Sequence, residues 1–433
     1  MNSRPHHFEI LVVGAGPAGL AAACVAAESG KQVAVLDNSP WLGGQIWRGE
    51  QTHPSQAVAQ RWLGRLRKSG AQVFANATAF AAPAARCLQA ETPSGVLEIT
   101  WQKLILATGA RELFLPFPGW TLPGVLGPGG LHAMSKAGWP VAGKRVVVAG
   151  TGPLLLAVAD SLKQHGARVS VVVEQTPMAK IMRFGLGLWR HPGKIAQGLG
   201  VKARLLGVPY RCGCWPVKAE GADQVRRVTL TDGTRTWTED CDYLACGFHL
   251  VPNVELPLLL GCELDAGAVR VNAFQETTVA DVFCAGEPTG VGGADCALVE
   301  GRIAGLAAAG LKEQAGALFG QRASWHHFRE ALNNAFSLRP ELRQLATAET
   351  VVCRCEDVRR EALGSFDTWR AAKLHTRCGM GACQGRTCGA AAGFLFGWDN
   401  DSARPPVFPV RVGALIRAEK TTDNNATSTN TKR

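Results

Sequence analysis

The chain has 433 residues, 46% hydrophobic and 19% charged, with a net charge of +11. That is enough apolar material for two or three ordinary cores and too little charge for a disordered chain. The basic balance admits anionic cofactors, an acidic partner or peripheral membrane association. The nearest cationic run (Arg61, Arg65, Arg67, Lys68) is spaced like a solvated helix face, which argues against nucleic acid.

Ile10 to Ala27 is uncharged and follows Arg4, His6 and His7, as a membrane span or signal peptide would. Gly14, Gly16, Pro17 and Gly19 would break such a helix. A strand from Phe8 to Val13, an Ala-rich helix from Leu20 to Glu28 and a strand from Gln32 to Leu36 form a βαβ unit instead. In the loop Gly14-Ala15-Gly16-Pro17-Ala18-Gly19, Gly14 permits the turn and Gly16 lets a pyrophosphate approach. Gly19 lets helix and strand pack closely, and Asp37 closes the second strand where ribose hydroxyls would lie.

Lys103 to Ala107 reads as a strand running into Thr108 and Gly109, and the Pro/Gly-rich residues 112–130 as an interdomain crossing. A second βαβ start follows: strand Lys144 to Val148, helix Leu154 to Gln164, and strand Ala167 to Val173 ending at Glu174. Its loop has Gly150 and Gly152, but Leu155 replaces the third glycine and is expected to push the helix off the strand. Glu174 disfavours a 2′-phosphate, so NAD, another nucleotide or an empty pocket are the alternatives. Cys212 and Cys214 read as structural, His249 as packed, and His326 and His327 as surface residues of a helix. A strand from Asp281 to Ala285 and a long Ala/Gly-rich helix through Leu311 precede a linker near 338–350.

Five of the fourteen cysteines crowd between Cys353 and Cys388, which points to metal ligation in a reducing, cytoplasmic compartment. Thiolates flanked by glycines suit iron–sulfur clusters and zinc alike, and the spacing does not separate them. Arg354, Arg377 and Arg386 are placed to offset the charge of a four-thiolate cluster.

The first loop, Ala107-Thr108-Gly109 and Val282-Phe283-Cys284-Ala285-Gly286-Glu287 together resemble the flavoprotein class with two dinucleotide-binding domains. The resemblance implies FAD on the first loop, Gly286 and Glu287 at its phosphate and ribityl region, and a nicotinamide nucleotide on the second loop. Glu287 stands where Asp is more usual, and the redox cysteine pair of the disulfide reductases is missing.

The cysteine segment is similar to the ferredoxin-like module first associated with bacterioferritin. That likeness implies a [2Fe–2S] cluster on Cys353, Cys355, Cys383 and Cys388, with Cys378 left out. Trp41-Leu42-Gly43-Gly44-Gln45-Ile46-Trp47, Ala107 to Glu112 and Pro116 to Ala137 sharpen the likeness further. They resemble the α-type subunits of heteromeric amine-oxidising dehydrogenases, a family that includes opine oxidases, hydrogen cyanide synthase and D-hydroxyproline dehydrogenase. This implies cofactor contacts at Gly44 and Gln45, and a separate FAD-containing, amine-oxidase-like β subunit that oxidises the carbon–nitrogen bond. Electrons would leave for a quinone or an electron-transfer protein. No set of catalytic residues stands out in the chain itself. A self-sufficient NADH-dependent reductase and a non-catalytic scaffold or redox-sensing subunit are the alternatives.

The expected fold is α/β with two Rossmann-like dinucleotide-binding domains and a small, mainly α, C-terminal [2Fe–2S] module. The first, FAD-binding domain is discontinuous (1–113 and 275–340). The second spans 114–274, the module 346–415, and a disordered tail 420–433.

Overall fold

The computed structural model describes residues 5–399 and 403–416, so the tail expected at 420–433 lies outside the described residues. The chain forms two compact units. Among the described residues, one is 5–110 with 252–329 and 403–416; the other is 111–251 with 330–399.

In the first unit, strand His6–Val13 lies parallel between Val33–Leu36 and Gly95–Leu106, and Val282–Cys284 pairs with the end of the latter. The central strand is buried on both faces, as a parallel strand covered on each side must be. Ile10 and Val12 enter one core, Leu11 and Val13 the other. Helix Pro17–Glu28 packs along helix Gly293–Ala308. The contact is close because a Cβ on Gly301 would lie 2.1 Å from the Ala18 carbonyl oxygen and one on Gly305 2.4 Å from that of Ala22. The apolar stretch Ile10 to Ala27 is therefore strand, loop and helix, and among the described residues no helix is long and apolar enough to cross a membrane.

Residues 252–274, assigned to the second domain from sequence, belong to this first unit, and residues 330–340, assigned to the first domain, belong to the second unit. Asn253 exchanges side-chain and backbone hydrogen bonds with Thr108 and Gly109, and Leu256 enters the core of Leu104 and Leu106.

The second unit has a five-stranded parallel sheet in the order Tyr210–Cys212, Arg168–Glu174, Arg145–Gly150, Tyr243–Gly247, Val125–Leu126. Helix Leu154–Gln164 covers it, and an antiparallel sheet of Trp215–Glu220, Arg227–Thr231 and Thr236–Asp240 lies alongside in sequence. The expected crossing at 112–130 is more ordered than its composition implies: it contains a sheet strand and the start of helix Pro128–Lys136. The cysteine segment is mainly helical. A small hairpin, Val351–Cys353 with Val358–Arg359, precedes helices Trp369–Thr376 and Cys388–Phe396 around Leu363, Trp369 and Trp398. It is part of the second unit, because Trp120 donates its indole N–H to the Val351 carbonyl at 2.6 Å and Phe394 packs on the core of Trp120 and Leu342.

Candidate functional site

The first loop lies where strand His6–Val13 hands over to helix Pro17–Glu28, with Pro17 in the first helical turn. Gly14 has φ +102° and its Cβ would stand 2.2 Å from the Ala107 carbonyl oxygen; a Cβ on Gly19 would stand 1.7 Å from that of Gly14. Both glycines are demanded by the chain's own packing. Gly16 is different. Its φ is −74°, and a Cβ there would meet nothing nearer than Gly44 Cα at 3.9 Å. What its missing side chain keeps clear is the approach to the helix N-terminus, where amides favour phosphate oxygens.

Asp37 ends the second strand, buried, accepting the amides of Ala15 at 2.5 Å and Ser39 at 2.7 Å. Burial raises its carboxyl from the ordinary value and the two amides oppose that shift. Gly286 has φ +82°. Glu287, beside it, accepts the Gly293 amide through one oxygen, while its other oxygen, Oε2, is buried without a partner. Burial, reinforced by nearby Glu300, pushes the Glu287 carboxyl up to about 7. An orphaned buried oxygen and a cleared loop are the two features an FAD ribityl chain and pyrophosphate would satisfy. Ala18 is buried in the helix contact, Gly44 adopts φ +60°, and Gln45 is exposed with its amide oxygen on Arg48.

One group in this unit escaped sequence reading. Glu300 is 1% exposed in the middle of helix Gly293–Ala308. One of its oxygens accepts the Gly286 amide at 2.8 Å and the Thr289 hydroxyl at 3.0 Å; the other meets His326 Nε2 at 2.7 Å and Arg329 at 3.5 Å. It fixes the backbone that presents Glu287. His326, expected at the surface, is half-buried because of this bond, whereas His327 is exposed. The available signal was an acid in the middle of an Ala/Gly-rich, largely apolar helix.

In the second loop, Gly150 has φ +133° and its Cβ would lie 1.7 Å from the Gly247 carbonyl oxygen. Leu155 does not push the helix away: it is 1% exposed and fills the layer between helix and sheet with Leu131 and Val148. Glu174 is fully buried, accepting the Gly152 and Thr176 amides and the Thr151 hydroxyl. The chain's own backbone covers this end of the sheet. The carbonyls of Phe336 and Ser337 face Thr151 and Gln175, and the Arg339 amide donates to Gln175. Asp37 has no comparable cover among the described residues' hydrogen bonds.

The five clustered cysteines come together. The sulfurs of Cys353, Cys378 and Cys388 lie within 4.8 Å of one another, all buried, while Cys383 is half-buried and Cys355 exposed. Gly381 permits the second approach, since a Cβ there would stand 2.4 Å from that of Cys355. The Cys378 and Cys388 thiols and the Gly379 amide draw the Cys353 thiol down towards the thiolate, and Cys388 draws Cys383 down to about 4. Cys353, Cys355, Cys383 and Cys388 all open on one cavity of about 300 Å³ that Glu112 and Trp120 also line. Cys378, 0% exposed, lies behind it. The neighbouring thiols that draw Cys353 and Cys383 down are themselves raised, Cys355, Cys378 and Cys388 holding their protons in that exchange. A pocket of converging thiols is suited to a thiophilic metal or cluster. Arg377, expected to balance cluster charge, is paired with Glu356 at 2.8 Å.

Residues 8–309 match the profile of the pyridine nucleotide-disulphide oxidoreductases. The chain belongs to that family. It is an FAD-dependent oxidoreductase. All fourteen cysteines are free, and burial raises the Cys212 thiol to about 11, against thiol–disulfide exchange there.

It is 32% identical to the HcnB subunit of hydrogen cyanide synthase from Pseudomonas protegens, over 87% of this chain and 89% of that one. It is 30% identical to the A subunit of opine oxidase from Rhizobium meliloti, over 94% and 98%. Its fold is similar to that of L-proline dehydrogenase from P. horikoshii, with TM-score 0.68 and 20% identity over 96% of this chain and 81% of that one.

Proposed function

We propose that this chain is the electron-handling subunit of a heteromeric oxidoreductase acting on the C–N bond of an amino or imino acid. The observation that carries the reading is the convergence of Cys353, Cys355, Cys383 and Cys388 on one cavity, in an FAD-dependent chain. The support from relatives is that both subunits named above are similar to it almost end to end. FAD would be held by Gly14, Gly16, Pro17, Gly19, Asp37, Gly286 and Glu287, with Thr108 and Gly109 flanking. The four cysteines would hold a [2Fe–2S] cluster, Cys378 standing behind them. FAD supplies two-electron chemistry and the cluster one-electron transfer. This chain's residues supply the loop, the buried acid and the thiolates that fix and tune those groups.

In this reading a partner flavoprotein oxidises the substrate and a quinone or electron-transfer protein accepts the electrons. The self-sufficient reductase draws on Gly150, Gly152 and Glu174, but the backbone of 336–339 over that loop weighs against an NADH adenosine there. An anaerobic NADH titration tests the choice. The expected spectrum shows flavin and [2Fe–2S] and is unmoved by NADH, while both bands bleach when a co-expressed amine-oxidase-like protein turns over its substrate. Bleaching by NADH alone would hand the chain to the reductase reading.

A further inference from the structure

Between strands Arg168–Glu174 and Tyr210–Cys212 the chain makes an excursion larger than a parallel crossover needs. It consists of helix Met178–Gly187, the turn Leu188–Arg190 and helix Pro192–Arg204, and none of the three contains a buried residue. Ile181, Phe184, Leu188, Ile195 and Val201 form the half-buried inner side. The outer side is apolar as well. Met178, Met182 and Leu186 recur every four residues and so share one stripe. Met182, Leu186, Trp189, Leu199 and Leu206 are 63–79% exposed. Residues 178–206 carry Lys180, Arg183, Arg190, Lys194, Lys202 and Arg204 and not one Asp or Glu; Arg204 is paired with Asp160 at 2.8 Å, which leaves five units of positive charge on the excursion in a chain whose net charge is +11.

We propose that this excursion is a docking surface for an anionic membrane. Large apolar side chains left in water across two consecutive helices call for an occupant. The charge identifies it. A protein partner with an apolar contact core would have to surround that core with acids only, whereas an anionic bilayer offers an apolar interior beneath a uniformly negative surface. Helices with Leu, Met and Trp on the outer side and Lys and Arg around them lie in such an interface, the cationic stems reaching up to the headgroups. Trp189, with Arg190 5.0 Å above its ring, is suited to headgroup depth. No described helix is long enough to span, so the association is one-sided. The surface is independent of which substrate the complex oxidises and of what fills the cysteine cavity.

The test is sedimentation of the full chain with phosphatidylcholine vesicles and with vesicles containing phosphatidylglycerol, at low and high salt. Binding is expected only with phosphatidylglycerol and is lost in salt. Leu186→Ser with Trp189→Ser abolishes it. Arg183→Gln and Arg190→Gln each weaken it by roughly fivefold, from the attraction of one cation to an anionic surface. All four side chains are exposed, and an unchanged melting temperature confirms that the variants fold. Absence of binding to phosphatidylglycerol vesicles at low salt overturns the proposal, as does binding that the paired serine variant leaves intact. It is equally overturned if the chain is a dimer that this variant makes monomeric, or if assembly with the partner flavoprotein removes vesicle binding, since the surface then joins protein to protein.

Discussion

Replacing Glu287 by Gln moves stability and cofactor affinity in opposite directions. The carboxyl is raised from 4.5 to about 7 chiefly by burial, so between those values the folded chain holds a proton that the unfolded chain has released. Stability of the flavin-free protein therefore falls as pH rises through that window, and the loss is complete above it. The rise from 4.5 to about 7 corresponds to roughly 3 kcal/mol, a ceiling because the surroundings relax when the acid ionises. Gln keeps an oxygen for the Gly293 amide and carries no charge. The flavin-free variant should melt higher than the parent at pH 8 and match it at pH 4. The same change removes an anionic acceptor at the orphaned Oε2, so FAD affinity should drop by about tenfold to a hundredfold, the worth of a charge-assisted hydrogen bond. Differential scanning calorimetry of the flavin-stripped protein at the two pH values, with a flavin titration, reads both effects. A variant that melts lower than the parent at pH 8, or binds FAD unchanged, would refute the argument.

Two further outcomes separate packing from ligand contact. Gly16→Ala should leave the melting temperature of the flavin-free chain within a degree or two while weakening FAD, whereas Gly19→Ala, facing the Gly14 carbonyl, should destabilise the fold by several kcal/mol and be seen directly in thermal melts. Cys353→Ala and Cys388→Ala should lose iron, whereas Cys378→Ala should retain it with a shifted electron paramagnetic resonance signal; iron loss in the last alone would move the ligand assignment onto Cys378.

The parallel cores were legible because strands buried on both faces write continuous apolar runs. Helix Leu154–Gln164 occupies the residues its pattern marks, and the first glycine loop falls between the expected strand and helix. What escaped was tertiary. Leu155 breaks the fingerprint but finds a core site with Leu131, which lies far off in sequence. Glu300 reads as an odd acid until Gly286, Thr289, His326 and Arg329 are folded around it. The cover over the second loop comes from a linker with no motif, whose contribution is backbone carbonyls that any sequence possesses. Residues 252–274 were misassigned because the return to the first unit is made by Asn253 hydrogen bonds rather than by a change in composition.

The first glycine loop opens a helix whose packing partner, Gly293–Ala308, is encoded almost at the other end of the nucleotide-binding region. During synthesis at roughly 5–20 residues per second, the nascent first unit waits on the order of half a minute with its Ala-rich helix and the edge of strand Gly95–Leu106 uncovered. The flavin must then be acquired late, after the intervening unit has emerged. Truncated or stalled chains would expose the apolar faces of Ala18, Ala22 and Leu106 to aggregation and to chaperones.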